Sequence, residues 1–600
     1  MRRSHEMPFG PRVLRNGVEF RLWAPSAPKV RLWTPQGEFD MEEAEGGWHR
    51  HVLQGAAAGQ RYRFRVREDL LVPDPASRFQ PEDVEGPSLV VDPEAYGWAD
   101  GDWKGRPWEE AVIYEAHMGS VTPEGTFAAF AEKLELLRDL GFTAIELMPL
   151  ADFPGKRNWG YDGVLHFAPD HAYGTPDDLK ALVDRAHGLG LMMILDVVYN
   201  HFGPSGNYLP AYAGAFFTDR HQTLWGAGIN YDGLGAETVR DFFVHNALYW
   251  LEEYHFDGLR FDAVHAIADD SSKHFIAELA ERIRSASGQR QVHLILENAD
   301  NGARWLGRAR GVPSLHTAQW ADDLHHAWHR LLTGEYDGYY ADYADPIAHL
   351  GRCLAEGFAY QGEMSVHEGK PRGEPSAHLP PSAFVAFLQN HDQIGNRAFG
   401  ERLGHLADPN RLALARACLL LSPQIPLLFM GEEWGASAPF QYFVDFPDEE
   451  LSKAVREGRR REFGSFGRFK DETAQERIPD PTASDTLQVS SLDWSEASRR
   501  PHSEALARTR DLLRIRREVV VPLTKSAFEG ARWSRPTPDV LEVTWHFAGG
   551  SLRFIANFGS DSFAYDVAQG EHPIWPGENA HHAAAIGLPP WTGVMLARVL

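Results

Sequence analysis

Between residues 10 and about 95 the chain runs in short segments in which apolar and polar residues alternate: "GVEFRLWAP", "KVRLWTP", "WHRHVL" and "RYRFRV", with Pro and Gly between them. A period of two is the mark of a half-buried strand. Several such strands in one block predict a β-sandwich, which we assign to residues 1–100. From about 110 to 510 the pattern changes, and short apolar runs alternate with stretches of helical period. Candidate strands lie at 111–118, 144–150, 192–200, 258–264, 293–298, 314–320, 383–392 and 426–433. The helix after the second has Thr175 as N-cap, Pro176 in its first turn, and Asp177 and Asp178 behind them, all suited to a helix start. "TVRDFFVHNALYWLEEY" and "KHFIAELAERIRSA" carry apolar stripes at a spacing of 3.6. Eight strands alternating with helices predict an α/β fold, a (β/α)8 TIM barrel over 105–515. An open doubly wound sheet is the competitor, but no G-x-G-x-x-G follows the first strand. Beyond 520, "LEVTWHFAGGSLRFIANFG" and "WTGVMLARVL" return to alternation and predict a small C-terminal β-sandwich over 520–600.

One candidate strand breaks its own pattern. In "FDGLRFDAVH", Arg260 and Asp262 are two residues apart and share a face, while Leu259, Phe261 and Ala263 take the other. In a TIM barrel the C-terminal ends of the strands form one ring that holds the active site. The third strand brings Asp196, Asn200 and His201 there, the fourth Arg260, Asp262 and His265, the fifth Glu297, and the seventh Asn390, His391 and Asp392.

Such a ring suits glycoside cleavage, which needs one ionised carboxylate at the anomeric carbon and one protonated carboxyl group at the leaving oxygen. Arg260 beside Asp262 favours the ionised form. Glu297 closes the apolar run His-Leu-Ile-Leu, where desolvation favours the protonated form. A structural ion pair is the plainer reading of Arg260 and Asp262, but a buried pair is a poor source of stability. His201, His265 and His391 could be written as a zinc set, yet they lack helical H-x-x-x-H or Cys-rich spacing. No G-x-S-x-G follows a strand, which argues against a serine hydrolase. Trp159 and Tyr161, in the Gly-rich "GKRNWGYDGVLHF", offer flat rings for stacking on sugar faces.

Composition narrows the setting. A formal net charge of -25 argues against nucleic acid or anionic membrane as partner. The one dense basic run, "REGRRREF" (456–463), reads as a solvated helix face. Cys353 and Cys418 are the only cysteines, which rules out a disulfide framework and favours a reducing compartment. "MRRSHEMPFG" contains no apolar signal core, and "LALARACLLLSPQIPLLFM" is broken by Arg416, Pro423 and Pro426, so it reads as a buried helix and strand. These features predict a cytoplasmic protein.

The segments "DVVYNH", "GLRFDAVH", "LILEN" and "QNHD" together resemble the α-amylase superfamily of glycoside hydrolases, in order and spacing across about 400 residues. The resemblance implies a retaining mechanism on α-linked glucans. By it, Asp262 matches the nucleophile, Glu297 the general acid/base and Asp392 the third carboxylate. Tyr161 matches the ring that stacks on the sugar being cleaved, and His201, Arg260 and His391 match the residues that position its hydroxyls and charge. Within the superfamily, "NWGYDG" and an N-terminal β domain point to branching, debranching and trehalose-releasing enzymes. "QWADDLHHAWHRLLTGEYDGYY", "LQNHDQIGNRAFGERL" and "GEEWGASAPFQYFVDF" look like the trehalose-releasing group, whose substrate is malto-oligosyltrehalose. A branching transferase would usually have Asp where Asn298 stands and Ser-His-Asp in place of "NHD". A non-catalytic glucan-binding protein would lack one of the three carboxylates. For the leaving-group side the resemblance suggests His265, Asp322, Asp323, His326, Gln393, Asn396 and Arg397. Asn200 matches a calcium ligand of many α-amylases, but partner ligands are not identifiable after His201, so neither metal nor cofactor is expected for catalysis.

Overall fold

The computed structural model of the chain describes residues 2–223, 226–464, 475–576 and 587–600. At the N-terminus two antiparallel sheets face each other. One joins Arg12–Leu14, Gly17–Trp23, Trp48–Gln54 and Glu42–Ala44; the other joins Gly37–Asp40, Arg31–Thr34, Arg61–Arg67 and Leu70–Val72, with Ser88–Leu89 also paired to Arg61–Arg67. Alternation dictates the packing: Val18, Phe20 and Leu22 from one sheet and Leu32, Tyr62, Phe64 and Val66 from the other are buried.

The next eight strands are β1 (Ile113–Ala116), β2 (Ala144–Leu147), β3 (Met192–Val197), β4 (Gly258–Phe261), β5 (His293–Leu296), β6 (Ala318–Trp320), β7 (Phe384–Ala386) and β8 (Ile425–Phe429). They close into a parallel barrel in chain order, β8 pairing back onto β1 with Ile113 opposite Leu427. Every residue of these strands is buried, as parallel strands covered on both faces require. Seven fall inside the predicted segments, and β8 begins one residue ahead of its segment, at Ile425. The predicted helix start also holds: Pro176–Gly188 is capped by Thr175, whose hydroxyl accepts from the Asp178 N–H while Asp178 accepts in return. The apolar stretch at 412–430 becomes the helix Pro409–Leu421 followed by β8, and no helix among the described residues is long and apolar enough to cross a membrane.

Two expectations change. The C-terminal strands Phe528–Ser534, Val540–Phe547, Gly550–Asn557, Thr592–Val599 and His572–Trp575 form a single five-stranded sheet. Leu541, Val543, Trp545, Leu552, Phe554 and Met595 face the main core, on the side of helix Pro346–Glu356, where Trp545 Nε1 donates to Leu354 O at 2.8 Å. The opposite face, with Val540, Ile555, Val594 and Leu596, is covered by Tyr565 and Leu588 from the connecting chain, so among the described residues that chain supplies the second layer. Residues 577–586 of the predicted 520–600 unit lie outside the described residues. In the basic run, helix Glu449–Gly464 exposes Arg461 but buries Arg459, which shares a face with Ser452 and Phe463. Arg459 donates to Gly395 O at 2.6 Å and Arg397 O at 3.1 Å, and so supports the segment just after Asp392.

Candidate active site

The barrel register sets Asp196 of β3 opposite Arg260 of β4, and the Arg260 side chain is wholly enclosed. Its Nη1 donates to Asp196 Oδ2 at 2.7 Å and to Asp262 Oδ1 at 2.8 Å, while Nη2 donates to Glu297 Oε2 at 2.9 Å. One guanidinium therefore spans both carboxylates that the sequence singles out, and its planar fork makes that possible. The cation also lies 4.2 Å from the centre of the Trp320 ring, at the end of β6.

The two carboxylates lean in opposite directions. Burial raises the pKa of Asp262, but Arg260, His201 and the Asn200 amide, which donates to Oδ2 at 2.8 Å, together hold it below the ordinary aspartate value. Burial also raises Glu297; here Arg260 pulls down, but Asp262, Asp392 and Asp322 add to the rise, and the carboxyl group stays protonated well above its usual range. Ala263, between the two, has a φ of 39°, in the left-handed region that few non-glycine residues occupy. That turn aims its N–H at Glu297 Oε2, 2.8 Å away.

Asp392 is the most open of the three, its side chain 37% exposed. It sits in the first turn of the short helix His391–Gly395, capped by Asn390. Gln393 Oε1 accepts from the Asn390 N–H at 2.9 Å, completing the cap. His391 is buried and both ring nitrogens meet acceptors: Nδ1 bonds Glu115 of β1, and Nε2 donates to Tyr161 Oη at 2.8 Å. Burial lowers its pKa, but Asp392 and Glu115 raise it to about 9. The Tyr161 hydroxyl donates to Asp196 Oδ2 at 2.7 Å, and its ring stacks on the His391 ring. His201 Nε2 donates to the Tyr161 carbonyl at 2.9 Å and Nδ1 meets the Asn200 side chain, so this histidine braces the loop that bears Tyr161.

The remaining predicted residues divide. His265 is exposed at the rim, Asp322 opens the helix Asp322–Thr333, and His326 lies one turn further along it beside the exposed Tyr339 ring, 4.7 Å between centres. Burial and nearby Asp323 and Asp392 raise Asp322 to about 7, against Arg372. Asn396 is exposed and donates to Asp392 at 3.4 Å. Arg397 is held by Glu335 through two bonds of 2.8 and 3.0 Å. Asp323 points away from the cleft: it is fully buried and accepts from Asn301, Tyr343, Ala359 and Tyr360 and pairs with Arg372 at 2.9 Å. Trp159 departs from its expected place as a sugar platform. It is buried, stacked on Phe440, and lies so close to Gly395 that a Cβ there would meet its ring at 2.0 Å.

Sequence reasoning missed Glu115, Glu146, Trp320, Arg372 and Tyr339. Glu115 and Glu146 are opposed across β1 and β2, both buried. Burial, Glu115 and Asp196 push Glu146 well up, and neither of its oxygens has a hydrogen-bond partner. The signal that exposed Arg260, a charge inside an apolar strand, was present in "VIYEAHM" and "AIELMPL" as well.

Residues 91–221 match the family described as alpha amylase, catalytic domain, and residues 8–77 match carbohydrate-binding module 48 (isoamylase N-terminal domain). The malto-oligosyltrehalose trehalohydrolase of Deinococcus radiodurans is 45% identical over 556 residues, covering 91% of this chain and 88% of that one. The enzyme of the same name from Saccharolobus solfataricus is 42% identical over 85% of this chain and 87% of its own. A crystal structure of a candidate alpha amylase from Salmonella typhimurium superposes with a TM-score of 0.93 at 45% identity, covering 99% of this chain and all of that one. The closed barrel, the sandwich before it and the strand-end carboxylates define a glycoside hydrolase of the α-amylase superfamily. Similarity of this degree and coverage identifies the branch: the chain belongs to the malto-oligosyltrehalose trehalohydrolase family.

Proposed function

We propose that this hydrolase cleaves the α-1,4 bond next to the terminal trehalose unit of malto-oligosyltrehalose, with retention of configuration. In the first step an Asp262 oxygen bonds to the anomeric carbon, the bond from that carbon to O4 of the trehalose unit breaks, and Glu297 gives its proton to that oxygen. Trehalose leaves. In the second, Glu297 takes a proton from water as the water oxygen displaces Asp262 and frees the malto-oligosaccharide. Asp392 stabilises the positive charge that develops on the ring, and Tyr161 stacks on that sugar. His265, Asp322, His326, Asn396 and Arg397 face the leaving trehalose, with Gln393 behind them as helix cap; Asp323 serves by fixing the segment that Asp322 opens. The observation that carries the reading is the Arg260 fork: one cation bonds two carboxylates whose surroundings drive one to ionise and the other to keep its proton. Names of relatives at 45% and 42% identity support the substrate.

The units 1–100, 105–515 and 520–600 are proposed as glucan-associated sandwich, catalytic barrel and C-terminal β domain. The buried, unpaired Cys353 and Cys418 support a reducing compartment, the cytoplasm. Incubation with maltoheptaosyl-trehalose tests the function. Free trehalose and maltoheptaose are expected; new α-1,6 branches in amylose, with no trehalose, would reverse the reading in favour of a branching transferase.

A further inference from the structure

The loop excursion that carries Tyr161 is closed at its neck by Ala151–Asp152 pairing antiparallel with Leu165–Pro169. At that neck one donor atom each from Asp152, Asp170 and His171 lies within 4.8 Å of the others. Both carboxylates are fully buried. Asp170 is satisfied in part, accepting from Phe153 N at 3.1 Å and Ala172 N at 2.8 Å. Asp152 has less: the His171 N–H is directed at its carboxylate, but neither oxygen has a partner at full hydrogen-bond geometry. Its Oδ1 is aimed into the cluster, 3.6 Å from His171 Nδ1, a nitrogen that is itself buried without a hydrogen bond and 3.8 Å from Asp170 Oδ1. Asp83, whose carboxylate accepts from Gly155 N at 3.0 Å, adds negative charge beside Asp152.

Two buried carboxylates converging on one point either hold their protons or take up a counter-charge, because burying an uncompensated ion is heavily penalised. One imidazole at these distances does not bond either of them. We infer that Asp152, Asp170 and His171 bind a divalent cation that accepts mixed carboxylate and imidazole donors, of the kind of Zn2+ or Mn2+. Ca2+, which collects six to eight oxygens, suits the donor set less well. The cation ties together the two ends of the excursion and so steadies Tyr161, while lying apart from the strand-end ring.

Isothermal titration of the full chain, treated with EDTA and dialysed, with ZnCl2 and with MnCl2 tests this, paired with thermal unfolding. One bound equivalent and a rise in Tm are expected for at least one of the two ions. Asp152→Asn should weaken binding at least ~10-fold and remove the rise in Tm. His171→Gln, which leaves the buried carboxylates in place, should do the same and keeps the test valid if the first variant fails to fold. His221→Gln, in the separate cluster with Asp232 and Asp270, should leave both readouts unchanged. Absence of a Tm response in the parent chain, a response to CaCl2 alone, or a response lost only in His221→Gln would overturn the inference.

Discussion

Arg260 donates to Glu297 at 2.9 Å, yet Glu297 keeps its proton well above the ordinary carboxylate range. Burial and the charges of Asp262, Asp392 and Asp322 outweigh the guanidinium at Glu297, whereas at Asp262 the same guanidinium, with His201 and Asn200, outweighs burial. The cation divides two carboxylates into unlike states because their other neighbours differ.

Arg260→Gln removes the cation that lowers the pKa of both carboxyl groups. The acid limb of kcat/KM, set by Asp262, should move to higher pH, and the alkaline limb, set by Glu297, should rise too. A limb that moves down would contradict the assignment. Asp196, Asp262 and Glu297 are left without their shared partner, so unfolding in urea should show a loss of about 3–5 kcal/mol.

Asp262→Asn preserves size and one acceptor but not the attacking oxygen. Trehalose release from maltoheptaosyl-trehalose should fall at least ~1000-fold in kcat, with an unchanged circular dichroism spectrum. Residual activity within tenfold of the parent would remove Asp262 from the role of nucleophile.

Asp322→Asn deletes one of the charges that raise Glu297. The alkaline limb of kcat/KM should move to lower pH. KM for malto-oligosyltrehalose should rise as well if Asp322 meets the trehalose unit; an unchanged KM with a shifted limb leaves it only an electrostatic part.

Glu115→Gln tests the far side of the ring. His391 has its pKa raised to about 9, above the ~6.5 of a free histidine. Its charged form therefore contributes stability that is complete below ~6.5 and lost as pH rises through about 9. With Glu115 neutralised, the loss should begin at lower pH, read as urea midpoints across a pH series. A pH dependence identical to the parent would separate Glu115 from the histidine.

Local pattern carried far into this fold. The eight barrel strands, the Thr175 cap and the helix before β8 are written in periodicity and turn chemistry, which depend on near neighbours. The ion pair of Arg260 and Asp262 was legible because a charged pair stands out within an apolar strand. Asp323 was not, because its partners Asn301, Tyr343, Ala359 and Arg372 come from remote segments and no local spacing announces them. Arg459 misled for the opposite reason: a run of like charges suggests solvent, and only the packing of its helix against the segment after Asp392 takes one of them inside. Trp159 and Tyr161 sit two apart in one loop, and only tertiary packing decides which ring is enclosed.

The left-handed turn at Ala263 has a bearing on how freely this site can drift. The peptide unit that ends Asp262 also supplies the N–H that holds Glu297, from 34 positions away in sequence. Displacement of one carboxylate is thereby transmitted to the other through a single link of main chain. A bulkier or β-branched residue at 263, which resists that backbone geometry, would disturb both at once. The spacing between the two carboxylates is thus inherited as a unit, guarded by a small residue whose main chain, not its side chain, makes the link.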